Sequence, residues 1–509
     1  MTAFQATSPQ ARIWRDRADA LKADKRIDGR AFIDGQRVAT QSGASFDTRS
    51  PIDGTLLAVV ARSEAADVDA AVQAARRAFD DGRWARQAPA ERKRVLQRFA
   101  ELIVQHKDEL ALLETLDVGK PIQYSLGVDV PAAARCINWF GEAIDKVYGE
   151  IAPTPHTALA LVQREPVGVV GAITPWNYPM IMAAWKLGPA LACGNSVVLK
   201  PSEKSPLTAL RLAELAAKAG LPDGVFNVVP GYGHEAGEAL ALHMDVDALG
   251  FTGSTRVGRQ MLAYSSRSNL KRVFNELGGK SAFLVFDDVD SVERAAHTVA
   301  GALFFNQGES CNAPSRLLVQ ESLADEVVSR IVALTPRYQP ADPLDPTTVM
   351  GALVDDAQLR NVLGYINAGR QQGAQCVAGG AQALVGTGGY YVQPTVFDAV
   401  DNGMKIAQEE IFGPVLSVIR FKDEAEAIRL ANATPYGLQA SVWSRNLDRA
   451  HRVARALRAG TVHVNQYDED DITVPFGGYK QSGNGRDKSL HALDKYTELK
   501  TTWIRINGA

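Results

Sequence analysis

The side chains in this sequence best suited to covalent chemistry are four cysteines, Cys136, Cys193, Cys311 and Cys376. No two form a CxxC pair, and four are too few for a disulfide framework of the small secreted type. Each thiol therefore reads singly, and a lone cysteine is more often buried filler than nucleophile. Cys311 is set apart by its surroundings in Phe304-Phe-Asn-Gln-Gly-Glu-Ser-Cys-Asn312, close to Gly308. Glu276 lies just before a glycine pair in Glu276-Leu-Gly-Gly-Lys-Ser281, where backbone freedom would let a carboxylate swing between poses. Asn177 occupies an otherwise apolar stretch of Thr174-Pro-Trp-Asn-Tyr-Pro179, and its NH₂ is suited to stabilising an oxyanion. The plainer readings are a glutamate capping a turn and an amide satisfying loop carbonyls. The eight histidines show neither HExxH nor His/Cys ligand spacing, so no metal is expected.

A chain of 509 residues exceeds one ordinary hydrophobic core and implies two to four units, some built from discontinuous segments. Apolar residues are 46%, charged residues 22% and the net charge is −3, which favours small polar ligands over polyanions or membrane surfaces. Met1 to Lys25 contains no apolar signal core, and no stretch approaches the roughly 18 apolar residues of a membrane span. The expected location is cytoplasmic.

Periodicity then supplies the elements. Ala65 to Phe79 and Pro89 to Leu113 carry apolar residues at helical spacing, so the first 145 residues read as helix-rich. From Glu165 the texture becomes βαβ. Strands are expected at Val167 to Ile173, Ser196 to Leu199, Val225 to Val229 and Ala248 to Thr252, with helices at Tyr178 to Ala192, at Leu207 to Ala219 and from His234. A second α/β run follows Gly279, with strands at Phe283 to Phe286, Leu317 to Val319 and Val415 to Ile419 and helices at Val292 to Phe305 and Leu323 to Thr335. Ala160 to Gln163 and Thr501 to Ile506 are β-rich segments outside both runs, of the kind that pair with another subunit.

Two glycine-rich segments are candidate phosphate loops. Gly231-Tyr-Gly-His-Glu-Ala-Gly237 has one residue too many for GxGxxG. Phe251-Thr-Gly-Ser-Thr-Arg-Val-Gly258 places free N–H groups and the Ser254 hydroxyl at a strand-to-helix junction, but Arg259-Gln260 stands where a triphosphatase needs Lys-Ser/Thr. Alone, either loop is as consistent with a plain βα turn as with a ligand site.

Taken together, the three segments around Asn177, Glu276 and Cys311 resemble the aldehyde dehydrogenase superfamily. The resemblance runs from about Phe32 to Trp503 and includes Lys200-Pro-Ser-Glu203, Glu409-Glu-Ile-Phe-Gly-Pro-Val415 and Pro475-Phe-Gly-Gly-Tyr-Lys-Gln-Ser-Gly483 in the family's order. It implies an α/β fold with a Rossmann-type NAD-binding domain at 1–150 and 168–278. A catalytic domain at 279–485 and a small β oligomerisation arm at 151–167 and 486–509 would complete it, in a homodimer or homotetramer. The implied reaction is NAD-dependent oxidation of an aldehyde through a thioester on Cys311, with Glu276 as general base and Asn177 as oxyanion donor. Lys200 and Glu203 would hold the adenine ribose, where a carboxylate favours NAD over NADP, with Ser202 a further cofactor-binding residue. Glu410 and Phe412 would hold the nicotinamide ribose and ring. Ile173, Thr174, Trp176, Gly233, Gly237, Phe251, Ser254, Val257 and Leu277 would line the rest.

For the substrate, Tyr178, Met182 and Trp185 fall nearly one helical turn apart and match the family's substrate tunnel; the bland reading is a core stripe. The acidic run Asp468-Glu-Asp-Asp471 reads as a solvated loop or, at the tunnel mouth, as an attraction for a cationic aldehyde through Asp468 and Glu469. The run from Pro475 to Leu493 resembles a bacterial branch that oxidises γ-glutamyl-γ-aminobutyraldehyde, 4-aminobutyraldehyde and 4-guanidinobutyraldehyde. Asn275, Asn312 and Pro314 depart from that branch, and Asp487 stands where many relatives have a glutamate assisting a water relay. The alternatives are a broad-specificity or succinic-semialdehyde-type enzyme, a coenzyme A-acylating one, and a non-catalytic scaffold of the same fold.

Overall fold

The structure is a computed structural model that describes residues 4, 8–23, 27–467 and 471–507. Its first seven-stranded sheet is centred on four strands that are buried throughout: Val169–Ile173, Ser196–Lys200, Phe226–Val228 and Ala248–Thr252. These run parallel, as does Arg272–Glu276 at one edge. Near-continuous apolar runs of this kind suit a sheet covered on both faces. The helices Ala65–Asp80, Pro179–Cys193 and Leu207–Lys218 contribute their buried faces to the clusters around it.

The other edge departs from the helix-rich reading of the N-terminal region. Ala31–Ile33 and Gln36–Val38 form a hairpin that extends this sheet, and Ser45–Arg49 pairs with Leu56–Ala61. The hairpin turn is Asp34-Gly35 with φ of 50° and 78°, the backbone a two-residue turn of the twisted type demands. These strands are too short to impose a visible alternation, so the Asp-Gly pair was their only clear signal.

The second seven-stranded sheet contains Ala282–Val285, Arg316–Gln320, Val415–Phe421 and Gln439–Trp443, with Thr395–Asp398 and Thr461–Val464 further out, all parallel, and Gln375–Ala378 antiparallel at one edge. The two β-rich outliers find each other within the chain. Thr497–Arg505 pairs antiparallel with Ala158–Pro166, which also pairs with Glu150–Ala152. Ile151, Leu499 and Trp503 on this three-stranded arm are exposed.

Candidate active site

Strand register gathers the first half of the site. Thr252 lies opposite Glu276, Phe251 opposite Ile173, and Ile173 opposite Lys200. Residues far apart in sequence thus share the carboxyl edge of the first sheet, where ligands of open α/β folds collect. Cys311 comes from the second half, in the turn that leads into Arg316–Gln320.

That turn is strained. Asn306, Gln307 and Gly308 have φ of 48°, 57° and 73° in succession. Such conformations persist only where surroundings hold them. Gln307 Oε1 accepts the Gly351 N–H at 3.0 Å, Glu309 Oε1 accepts the Val354 N–H at 3.1 Å, and Asn306 Nδ2 donates to the carbonyls of Asn177 and Glu309, each at 3.2 Å. Burial pushes the Glu309 carboxyl well above the usual range, which favours its neutral form. At Gly308 a Cβ would lie 2.3 Å from the Gly413 carbonyl oxygen, so only glycine fits.

The glycine pair after Glu276 has no positive φ, and the structure shows a steric requirement for it. A Cβ on Gly278 would lie 2.1 Å from Glu410 Oε2, and one on Gly279 would lie 2.4 Å from the Cys311 carbonyl oxygen. The backbone of one sheet's end thereby packs directly against the Cys311 peptide. Gly279→Ala is expected to shift Cys311 by several tenths of an ångström and lower kcat about 100-fold. Comparing NADH production with thermal unfolding checks this; unchanged kcat would remove the packing argument.

Glu276 is buried, and neither carboxylate oxygen has a hydrogen bond of ordinary geometry. Burial pushes its pKa up to about 8; Lys186 and the Cys311 thiol pull down, while Asp487 and Glu410 add to the rise. Asp487 lies between two buried ammonium groups, donating none: its Oδ2 accepts from Lys186 at 2.6 Å and its Oδ1 from Lys495. Burial opposes its charge, but the two lysines hold its pKa below the usual carboxylate range, so it is an anion. Asn177 Nδ2 donates to the Glu309 carbonyl at 2.9 Å, which uses one of its two N–H bonds. The other cysteines are elsewhere. Burial pushes the Cys136 and Cys193 thiols up, Cys193 to about 12, and half-buried Cys376 contacts Arg370.

Cys311 opens onto a cavity of about 450 Å³. Tyr178, Met182 and Trp185 line one side with Phe305 and Phe476. Tyr178 is fixed by a hydroxyl contact to Ser310 and by the Lys120 ammonium 4.2 Å from its ring centroid. Asn312, Gln439, His463 and Tyr467 line another side, and Lys488 stands 5.7 Å from the ring centroids of both Trp185 and Phe476. Asp468 and Glu469 lie outside the described residues.

The nucleotide-type residues form a second group. Ile173, Phe251 and Leu277 share one apolar cluster with partly buried Val257. Ser254 caps the Thr255–Ser266 helix, its Oγ accepting the Val257 N–H at 3.4 Å. A Cβ on Gly233 would meet no protein atom, and one on Gly237 only Ile173 Cδ1 at 3.9 Å, so protein packing leaves space above both. Lys200 Nζ donates to Glu203 Oε2 at 3.1 Å; burial opposes the charge on Glu203, and the lysine outweighs it, holding the carboxylate ionised. Thr174 and Ser202 are buried beside them, with the Thr174 N–H donated to the Lys200 carbonyl at 3.2 Å. Trp176 meets Phe412 edge to face at 5.2 Å, with Phe412 at φ 56°. Glu410 Oε1 accepts the Gly279 N–H at 3.0 Å, and burial lifts its pKa to about 7. These residues fit NAD: Gly233 and Gly237 leave open space, Ser254 begins a helix at the end of Ala248–Thr252, and a fixed carboxylate suits ribose hydroxyls.

Comparison with known proteins agrees with this chemistry. Residues 38–502 match the aldehyde dehydrogenase family. The chain belongs to that family. It is 53% identical to the NADP/NAD-dependent aldehyde dehydrogenase PuuC of Escherichia coli over 97% of this chain and 98% of that protein. Among solved structures, an indole-3-acetaldehyde dehydrogenase of P. syringae in complex with NAD+ and IAA is similar at 60% identity and a TM-score of 0.96, covering 98% of this chain and all (100%) of the other. A γ-glutamyl-γ-aminobutyraldehyde dehydrogenase from Burkholderia cenocepacia is similar at 60% identity and a TM-score of 0.95, covering 97% and 99%.

This aldehyde dehydrogenase therefore has the expected fold and is an NAD-dependent oxidoreductase acting on aldehydes. Among its described residues no helix is long and apolar enough to cross a membrane. Several site residues had escaped the sequence reading. Lys186 carried a signal, a single charge in the otherwise apolar Pro179–Cys193 helix, all of which is buried. Lys495, Gln439 and His463 carried none, because only packing brings them to the cavity or beside Asp487.

Proposed function

We propose that Cys311 is the nucleophile, Glu276 the general base, and Asn177 together with the Cys311 N–H the oxyanion donors. The observation that carries this is a buried carboxylate, its pKa raised by burial and drawn down by the Cys311 thiol, beside the one cysteine that lines the cavity. The thiolate adds to the aldehyde carbon as the carbonyl electrons move to oxygen, where the second Asn177 N–H stabilises the negative charge. NAD, when bound, supplies the hydride acceptor. Collapse of the tetrahedral adduct re-forms the carbonyl as a thioester. Glu276 then takes a proton from water, hydroxide adds to the thioester, and the C–S bond breaks to release the acid and the thiolate.

Lys200 and Glu203 would hold the adenine ribose, with Ser202 beside them in the cofactor site, and Glu410 and Phe412 the nicotinamide riboside. Ile173, Thr174, Trp176, Gly233, Gly237, Phe251, Ser254, Val257 and Leu277 form the remaining walls. The domain boundaries at 150, 168, 279 and 486 and cytoplasmic assembly as a homo-oligomer belong to the same reading; the exposed apolar residues of the β arm support assembly.

The substrate class is an aminoaldehyde or its γ-glutamyl derivative. This rests on similarity to the Burkholderia enzyme, on 49% identity to an aminoacetaldehyde dehydrogenase of Pseudomonas aeruginosa over 96% of this chain and 98% of that protein, and on the acidic run from Asp468 to Asp471. An NADH-production panel of γ-glutamylaminobutyraldehyde, 4-aminobutyraldehyde, 4-guanidinobutyraldehyde, succinic semialdehyde and hexanal tests it. Highest kcat/KM for succinic semialdehyde or hexanal would overturn it. Neutralising Asp468 to Asp471 is expected to raise KM for 4-aminobutyraldehyde roughly threefold to tenfold more than for a neutral aldehyde of equal length. An equal change in both would return this run to a solvated loop.

A further inference from the structure

The substrate cavity has two chemically unlike faces. Trp185, Phe305, Phe476 and Met182 make one of them apolar. The other begins at Asn312, the residue bonded directly to the nucleophile, and continues through side chains delivered by two neighbouring strands of the second sheet. Asn312 Nδ2 donates to Gln439 Oε1 at 3.3 Å, and Gln439 Nε2 lies 3.0 Å from His463 Nε2. The first contact fixes the Gln439 amide with its oxygen toward Asn312 and its nitrogen toward the histidine. The three side chains thus form one continuous hydrogen-bonded run. Tyr467 closes the group: its hydroxyl donates to the Asn312 carbonyl at 2.5 Å, and its ring centroid is 5.5 Å from that of His463.

Gln439 is 4% exposed and His463 7%, yet both line the cavity. Their strands place them together by register: Ala440 pairs with Val462 and Ser441 with His463, so Gln439 and His463 are diagonal neighbours. Purely structural amides and imidazoles are normally turned into the protein. Here three hydrogen-bonded polar side chains form a wall of the cavity that Cys311 also lines. Such a wall can exchange hydrogen bonds with a polar chain and offers a plain hydrocarbon chain less than the apolar face opposite, so it discriminates between the two.

We infer that Asn312, Gln439 and His463 form a specificity subsite for a neutral group that both donates and accepts hydrogen bonds, an amide, carried within the first few atoms beyond the aldehyde carbon. This deepens the proposed reaction and rests on Cys311 acting in this cavity. It adds a determinant separate from charge at the mouth, set by hydrogen bonding along the chain.

The test compares 3-acetamidopropanal with hexanal, whose chains have equal length, in the wild-type enzyme and in Gln439→Met and His463→Phe. The wild type is expected to favour the amide by about tenfold in kcat/KM, and each variant to bring that ratio to within twofold of one. Equal kcat/KM for the two aldehydes in the wild type overturns the subsite, whatever the variants do. A wild-type preference that both variants retain overturns the assignment to these residues. Oxidation of neither aldehyde by the wild type would instead remove the proposed reaction itself, an outcome distinct from oxidation of both without preference.

Discussion

Cys311→Ala is expected to lower steady-state NADH formation by about 10⁴-fold or more, with NAD affinity changed less than about threefold. The large loss follows from chemistry: an aldehyde carbon has no route to expel hydride as an acid derivative until a nucleophile has added to it. The small change in affinity follows from geometry. The cofactor-type residues lie along the carboxyl edge of the first sheet, whereas the thiol comes from a turn of the second, held by the side chains of Asn306, Gln307 and Glu309. Removing one sulfur leaves those clamps in place. Fluorescence titration with NAD and an NADH-production assay together decide the matter. Turnover above about 1% of wild type would assign the chemistry elsewhere, and the buried Cys136 and Cys193, with their raised pKa values, offer no substitute.

Glu276→Gln should separate the two half-reactions. Acylation still releases one equivalent of NADH per site, whereas hydrolysis of the thioester slows by about 10² to 10⁴-fold, so an initial burst precedes slow turnover. The pH dependence has a defined sign. The wild-type carboxyl titrates at about 8 because burial disfavours its charge, so below that pH it is mostly protonated and unable to accept a proton from water. Hydrolysis-limited turnover is therefore expected to rise with pH through about 8 and level off above it, and the glutamine variant should lose that rise. The same shift affects folding. A folded pKa above the unfolded one gives stability that is complete below the unfolded pKa and is lost as pH rises through about 8. Glu276→Gln should thus lose less stability than the wild type when pH is raised from 6 to 9. Thermal unfolding at both values measures this, and normal steady turnover with an unchanged pH profile would take Glu276 out of the base role.

Most of the fold was legible because the buried strands are written as continuous apolar runs and the helices as 3.6-residue stripes. Ala248–Thr252 has the bounds read from the sequence, and the Pro179–Cys193 helix differs by a residue at each end. The N-terminal hairpin was missed because three-residue strands carry too little periodicity, leaving only Asp34-Gly35 to mark it. The glycine pair after Glu276 was legible as a necessity, but its steric cause was not. Sequence shows that a side chain is absent; it does not show that Glu410 and the Cys311 carbonyl occupy the space.

The sequence by itself determined the reaction class: a thiol, a carboxylate and an amide, each in a distinctive segment, together with the ordered motifs of one family. Only the tertiary structure decided the environment of those groups. Electrostatic shifts depend on distance and burial, which arise when strands remote in sequence become neighbours. Lys186 and Lys495 meet at Asp487 and fix its charge, while neither Glu276 oxygen makes a hydrogen bond of ordinary geometry. Register likewise turns Gln439 and His463, unremarkable in the chain, into a polar wall beside Cys311.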